Sequence, residues 1–369
     1  MKVVILGGGI AGLCMGIYLQ QQHMNVIVNE KQVFSAVGGH AFLMHHDGFS
    51  VLKEIAEGSG CLLPGRQVDS FTFKNPEGEI IAEQQLDDWQ CFKRTDLLDC
   101  LMQLLPAEHL RNERIFSHFL YEGEKIVAAA FLNGELEYGD IFIGADGANS
   151  AVRRQIFGEV KFESGRVKEL VGIVQHPALA ASLQGKFTKF QQSDKGLSFG
   201  LIPTSDTEVV WFMQFDPVLG DVPEGTIARA HEKYYEQMEE LCVSLLKDFP
   251  AEVQTVLAVN DFRTSYVWNT MDFDLLSCFH HQNVVLIGDA AHVALPFTSA
   301  GTTNAMMDAK ILCECLILYP DTGMAFREYY RIRAADIANH VKLGRDLRDA
   351  FLNPVAEFNI PLINDRVRQ

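Results

Sequence analysis

Residues 2–30, KVVILGGGIAGLCMGIYLQQQHMNVIVNE, decide the reading of this chain. An apolar run at 3–6 enters Gly7-x-Gly9-x-x-Gly12, a helical segment follows, and a second strand-like run at 26–29 ends on Glu30. The three glycines differ in purpose. Gly7 permits the tight turn out of the strand, Gly9 lets a pyrophosphate approach the backbone, and Gly12 lets the helix pack on the sheet. The helix N-terminus, which includes Ile10 and Ala11, offers free N–H groups and a positive dipole end to phosphates. Glu30 stands 18 positions after Gly12, where a carboxylate reaches a ribose hydroxyl pair, with Lys31 beside it. A glycine-rich turn in some other βαβ unit is the bland alternative. The acid in place between two strand-like runs favours dinucleotide binding.

The same stretch carries no Asp, Glu, Lys or Arg from 3 to 29, yet three consecutive glycines and Gln20, Gln21, Gln22 and Asn25 argue against a membrane span or signal. We expect a cytoplasmic chain, monomer or homodimer. Its 369 residues suffice for two domains, and 48% apolar with 21% charged residues is ordinary globular composition. A formal charge of -17 disfavours nucleic acid or an anionic membrane as partner. The eight cysteines show no C-x-x-C pair and no zinc spacing, which reads as reduced, buried thiols.

No repeat or linker divides the chain, so boundaries follow changes of pattern. Helical patterning is expected at 49–56, 94–105, 227–249, from about 302, and at 325–352. Alternating runs at 187–191, 197–202 and 209–215 predict an antiparallel sheet with one buried face. The dinucleotide domain is then discontinuous, at 1–66, 93–165 and 276–345. The sheet domain takes 67–92 and 166–275, and 346–369 forms a helical tail.

Two later motifs identify the dinucleotide. One is Gly144-Ala145-Asp146-Gly147 after an apolar run. The other is Gly288-Asp289-Ala290-Ala291-His292, followed by Pro296, Gly301, Thr302, Asn304 and Asp308. Asp289 closes a strand, so it points into the crevice at the strand's carboxyl end, where ligands of such sheets bind; a structural acid is the alternative. The small residues of 296–303 let backbone approach a ligand closely before a helix opens near Thr302. With the N-terminal fingerprint, these motifs resemble the class A flavoprotein monooxygenases of the p-hydroxybenzoate hydroxylase type, over nearly the whole chain. The resemblance implies an α/β fold: a Rossmann-like FAD-binding domain of the GR2 type, interrupted by a mostly antiparallel β-sheet substrate domain, with C-terminal helices.

It also implies roles. Arg94, at a helix start, would reach the FAD phosphates or ribityl chain; a solvated surface Arg is the alternative. Asp146 would either pack near the pyrophosphate or tie the domain together. Hydride from NADH or NADPH, bound transiently, would reduce the flavin, O2 would add to give a C4a-hydroperoxide, and a substrate carbon would take the distal oxygen. An FAD-dependent oxidase or reductase without oxygen insertion is the rival. For the substrate pocket we expect Phe199, Leu201, Phe212 and Gln214 from the sheet, with Pro296 and Phe297 between flavin and substrate. His40, His45, Gln214 and Pro296 are the candidates for substrate activation. Twenty-five phenylalanines and few strand cations suggest an apolar, planar substrate.

The chain departs from the class in two places. Residues 31–40 lack the second arginine usual there. Ser299 and Ala300 stand where Gly and Gln are common. Clustered His40, His45 and His46 lack a carboxylate or cysteine to complete a metal site, so no metal is expected. Gly196-Leu197-Ser198-Phe199-Gly200 matches G-x-S-x-G, but in strand-like sequence rather than at a strand–turn–helix elbow.

Overall fold

The computed structural model describes residues 1–33, 40–221 and 232–354. The chain opens with β1 (Lys2–Leu6), α1 (Ile10–Gln21), β2 (Asn25–Asn29), β3 (Ala41–Met44), α2 (His46–Ile55), β4 (Arg66–Lys74), β5 (Ile80–Lys93) and α3 (Arg94–Leu104). It continues through β6 (Leu110–Arg111), β7 (Phe116–Glu122), β8 (Lys125–Phe131), β9 (Leu136–Tyr138), β10 (Ile141–Gly144), α4 (Ala151–Phe157), β11 (Phe162–Gln175), α5 (Pro177–Ser182), β12 (Lys186–Gln191), β13 (Leu197–Pro203) and β14 (Glu208–Phe215). It closes with α6 (Glu232–Leu246), α7 (Ala251–Val259), β15 (Tyr266–Phe273), β16 (His280–His281), β17 (Val284–Leu286), α8 (Gly301–Leu318) and α9 (Thr322–Leu352).

Three sheets result. The first has the order β16-β17-β10-β1-β2-β6, parallel except for β16. Val3, Val4 and Ile5 are fully buried because α1 and α8 cover one face of this sheet and the β7–β9 meander packs on the other, with Phe119 against Phe142 of β10, which is why β1 reads as an unbroken apolar run. Helix α1 is buried from Ala11 to Leu19, lying between the sheet and α8. A helix enclosed all round needs no polar face, and that accounts for the charge-free stretch at 3–29. The second sheet has the order β15-β11-β14-β13-β12-β4-β5-β3 and is antiparallel except where β12 meets β4. The third, β7-β8-β9, is a small meander.

The α/β architecture with an interrupting antiparallel sheet and C-terminal helices is therefore present. Two details differ from the sequence division. Strand β3 pairs with β5 in the eight-stranded sheet although its residues fall within 1–66, and that sheet takes Arg66 as well. Four short residues of β3 carry too little alternation to reveal their partner. The helix expected at 227–249 is seen as α6, its first five residues lying outside the described ones, as does most of the expected tail at 346–369 beyond the end of α9. Among the described residues no helix is long and apolar enough to cross a membrane.

Candidate active site

The carboxyl ends of β1, β2, β10 and β17 all open onto one edge of the parallel sheet, where ligands of such sheets bind. The backbone ladder continues beyond the strands: Gly7 N donates to Asn29 O at 2.8 Å, Ala145 N to Leu6 O at 2.8 Å, and Ile287 N to Gly144 O at 3.0 Å. A cavity of about 500 Å³ runs from this edge to one face of the eight-stranded sheet.

At the first end, Gly9, Ile10 and Ala11 line it, with Ala145, Gly147 and Ala148 from the turn after β10. Gly7 and Gly12 do not line it; they build it. Gly7 has φ +116°, and a Cβ on it would strike the carbonyl of Ala145, while a Cβ on Gly12 would run into the carbonyl oxygen of Gly7. Around Gly9 a Cβ would meet nothing of the described residues within 4 Å, so backbone is bare to the cavity there, and the same holds at Gly301. Gly9 and Ala300 precede α1 and α8; neither helix start has a side-chain cap or an acid in its first turn, and both face the same space. Two uncapped helix ends leave orphan N–H donors for an anionic or carbonyl ligand.

Glu30 accepts from Gly8 N at 2.7 Å and Gln32 N at 3.0 Å, so its carboxylate braces the glycine turn from the end of β2. Neither Glu30, half-buried, nor Lys31, exposed, stands on the cavity wall. Arg94, the first residue of α3, lines the cavity, and its guanidinium has no carboxylate partner among the described residues. Asp289 is open to the cavity yet deep in the molecule. Burial pushes its carboxyl above the usual range, Asp308 adds to this, and His292, Arg94 and Arg153 oppose it. A free arginine, an open acid, bare glycine backbone and two uncapped helix ends fit the phosphates, ribityl chain and ring of FAD.

Asp146 has a different duty. It accepts from the Ser150 hydroxyl and from Ala151 N at 2.7 Å and Val152 N at 3.2 Å, capping α4, so both carboxylate oxygens are committed to the helix rather than to the cavity. Arg153 is buried and donates to the carbonyls of Ala148, Asp289 and Ala290, which locks this turn against the Asp289 turn. All three acceptors are carbonyls.

At the second end, Phe212, Gln214 and Phe297 line the cavity, as does Pro296. Phe199 and Leu201 do not, and their assignment to the pocket is corrected. In the β13–β14 ladder Phe199 stands opposite Met213 and Leu201 opposite Trp211, and directly opposed residues share a face. That face packs on α6 and α7 as a separate apolar core. Phe212 stands opposite Gly200 on the other face, and a Cβ on Gly200 would overlap its ring. Ser198 of the G-x-S-x-G match sits inside β13, with no elbow.

The three histidines diverge. His40 lines the cavity, its Nδ1 against the Tyr266 hydroxyl; burial, then the Arg94 charge, lower its pKa to about 4. His45 is removed from the candidates for substrate activation: it is packed on Trp89 with ring centroids 4.0 Å apart, its Nε2 lies 2.9 Å from Thr298 O, and it does not border the cavity. It pins the 296–303 loop. His46 is exposed and pairs with Asp88 at 3.3 Å.

That loop forms a short turn at Pro296–Thr298 and then places Ser299 at φ +52°, a left-handed conformation that favours glycine. An L-residue there costs about 1–2 kcal/mol, partly offset by the greater freedom that glycine has when unfolded. Ser299→Gly is therefore expected to stabilise the protein by up to about 1 kcal/mol in urea unfolding; a loss of more than that would mean the serine side chain itself holds the loop.

Sequence reasoning missed Glu169, Lys189 and Trp268, all on the cavity wall. The signal was present: a lysine within the apolar strand Phe187-Thr188-Lys189-Phe190, and an acid beside Leu170 and Val171.

A family model described as an FAD binding domain matches residues 1–339. Monooxygenase 1 of Arabidopsis thaliana is 25% identical over 330 residues, 87% of this chain and 80% of its own length. The 3-amino-4-hydroxybenzoate 2-monooxygenase of Streptomyces cremeus is 25% identical over 367 residues, 96% of this chain and 88% of its own. Among solved structures, Klebsiella pneumoniae HpxO complexed with FAD and uric acid shares the fold with a TM-score of 0.85 at 19% identity, covering 100% of this chain and 93% of that one. The 2,6-dihydroxypyridine-3-hydroxylase from Arthrobacter nicotinovorans does so at 0.82 and 16% identity, covering 98% and 95%.

Proposed function

We propose that this chain, which belongs to the FAD-binding-domain family of flavoprotein monooxygenases, hydroxylates a small planar aromatic or heteroaromatic substrate, with NADH or NADPH as transient reductant and O2 as oxidant. The enzyme is an FAD-dependent oxidoreductase. The observation that carries the substrate reading is that one cavity joins a dinucleotide-binding sheet edge to an aromatic-lined sheet face. Relatives that bear names of aromatic hydroxylases support the same reading.

FAD, when bound, supplies the electron and oxygen transfer. The chain's residues hold and shelter it. Backbone at Gly9, with Arg94, would take the pyrophosphate, and Glu30 would take the ribose pair. Asp289 would accept from the ribityl chain. The α8 N-terminus, at Gly301 and Thr302, would donate to the ring's carbonyl side, where negative charge gathers on reduction. Phe71, Phe187, Phe212 and Val210 exclude water from the other end. His40, kept neutral above about pH 4, holds a proton between its Nδ1 and the Tyr266 hydroxyl.

We place the enzyme in the cytoplasm as a monomer or homodimer. All eight cysteines are free, in keeping with a reducing compartment. The test is direct. Purified protein should be yellow, NADH or NADPH should bleach the flavin anaerobically, and an aromatic panel under labelled O2 should give a product one oxygen heavier. Flavin that neither cofactor reduces, with no oxygenated product, would sink the proposal in favour of a flavoprotein of other chemistry.

A further inference from the structure

The cavity face of the eight-stranded sheet is ordered in rows. Register places Trp268, Glu169, Gln214, Ser198 and Gln191 side by side across β15, β11, β14, β13 and β12. Lys189 lies in the next row, opposite Gly200. The row after that is Ile173, Val210, Ile202 and Phe187, wholly apolar. The pocket thus has a greasy floor and one polar margin.

That margin is wired through Gln214. Lys189 Nζ donates to Gln214 Oε1 at 2.9 Å, and Gln214 Nε2 donates to Glu169 Oε2 at 2.7 Å. The amide fixes an ammonium and a carboxylate on its two sides. Each charged group still has capacity to spare, since the ammonium has two further N–H donors and the carboxylate more lone pairs than one amide fills. Among the described residues Ser198 Oγ, a neighbour in the polar row, is buried without a partner, and Trp268 Nε1 leans on Glu169 outside hydrogen-bond geometry. Buried charges and orphan donors of this kind are costly unless something completes them. Phe297 and Phe351 each face Lys189 at 5.7 Å, closing the margin from the loop and from α9.

Resting on the reading of the cavity as a hydroxylase pocket, we propose that Glu169 and Lys189, spaced by Gln214, select planar substrates bearing an ionisable ring hydroxyl. The carboxylate takes the hydroxyl proton, the O–H bond breaks, and the ammonium holds the resulting ring oxyanion. One proton moves from substrate to Glu169, and no electron is transferred. Their environments suit the exchange. Burial raises Glu169 to about 7, against the pull of Gln214, Lys189 and Trp268, and burial lowers Lys189 to about 8, against the pull of Glu169. A carboxylate raised in this way is a stronger base than an ordinary glutamate, and so a better acceptor for a hydroxyl proton. A ring lacking the hydroxyl would leave the margin unsatisfied, which is the strongest form of discrimination a pocket has.

The test uses FAD-loaded enzyme and two probes of one shape, 2-naphthol and 2-methoxynaphthalene, titrated against the flavin absorbance spectrum. Wild type should bind the naphthol at least about tenfold more tightly than the ether. Glu169→Gln and Lys189→Met should each weaken naphthol by at least about tenfold and leave the ether within about twofold, so that the preference disappears. The double variant, which buries no charge, keeps the test valid should either single variant lose its fold by circular dichroism. Equal binding of both probes by wild type, binding of neither, or an equal loss of both in the variants would overturn the proposal. Reduction of the wild-type flavin by NADH or NADPH without any probe is read separately, and its failure would tell against the monooxygenase reading instead.

Discussion

Gly9→Val yields a folded protein without flavin. The residue before α1 has φ -75° and ψ -172°, extended backbone that valine adopts freely, and its Cβ would point into open cavity with no atom of the described residues within 4 Å. The new methyl groups therefore collide with nothing until a pyrophosphate arrives. Overpacking by two or three carbons costs about 3 kcal/mol, or at least about a hundredfold in FAD affinity. The measurement is FAD titration of stripped protein, with the melting temperature of the stripped forms recorded alongside and expected to agree within about 3 °C. Gly12→Ala is the counter-case. Its Cβ runs into the carbonyl of Gly7, so the turn and helix must part, and the stripped protein should lose about 2 kcal/mol or more. The two glycines of one motif thus separate binding from folding. Normal FAD affinity in Gly9→Val would mean that the pyrophosphate lies elsewhere.

The contrast shows what was legible in the sequence. Residues 2–30 encode a local unit, strand, turn, helix and strand, whose parts touch because they are near in the chain; the periods of burial and the glycine positions could be read directly. Asp289 was equally plain, because an acid ending an apolar run points to a sheet's carboxyl edge wherever that run pairs. The substrate wall was not plain. Which face of β13 meets the cavity depends on register with β14, and a shift of one residue exchanges Phe199 for Ser198. Both β13 and β14 are buried on both faces, so alternation of polarity gave no guide to the cavity side. Glu169 and Lys189 come from strands 20 residues apart in sequence and meet only through Gln214 on a third. Asp146 was ambiguous for a different reason: a strand-to-helix turn uses the same acid whether it caps a helix or faces a cofactor, and only the donors around it decide.

Asp308→Ala should be the most damaging single change to stability. Its carboxylate is fully buried in α8 and holds the fold together on both oxygens: Oδ2 accepts from Gly288 N at 2.8 Å and His292 Nε2 at 2.7 Å, and Oδ1 from Arg333 Nε at 2.8 Å. Arg333 in turn donates to Asn304 at 3.0 Å, and Asn304 meets His340 at 3.1 Å, so one acid joins the Asp289 turn to both C-terminal helices. Removing it strands a buried guanidinium and a backbone donor, at a cost of about 3–5 kcal/mol. Burial alone would raise the acid's pKa; the charges and hydrogen bonds of His292 and Arg333 overcome this and hold it at about 2. Against an unfolded value of about 3.9, that depression contributes about 2–3 kcal/mol, fully present above pH 4 and lost as the pH falls through 2. Urea unfolding of stripped wild type and variant should therefore show a gap that is widest near neutrality and narrows between pH 4 and 2. FAD affinity should fall as well, since Gly288 and Asp289 lose their anchor. A gap under about 1 kcal/mol at pH 7, or one that does not narrow in acid, would show that Arg333 finds its compensation in Asp336, 3.3 Å away, and that the buried acid is dispensable.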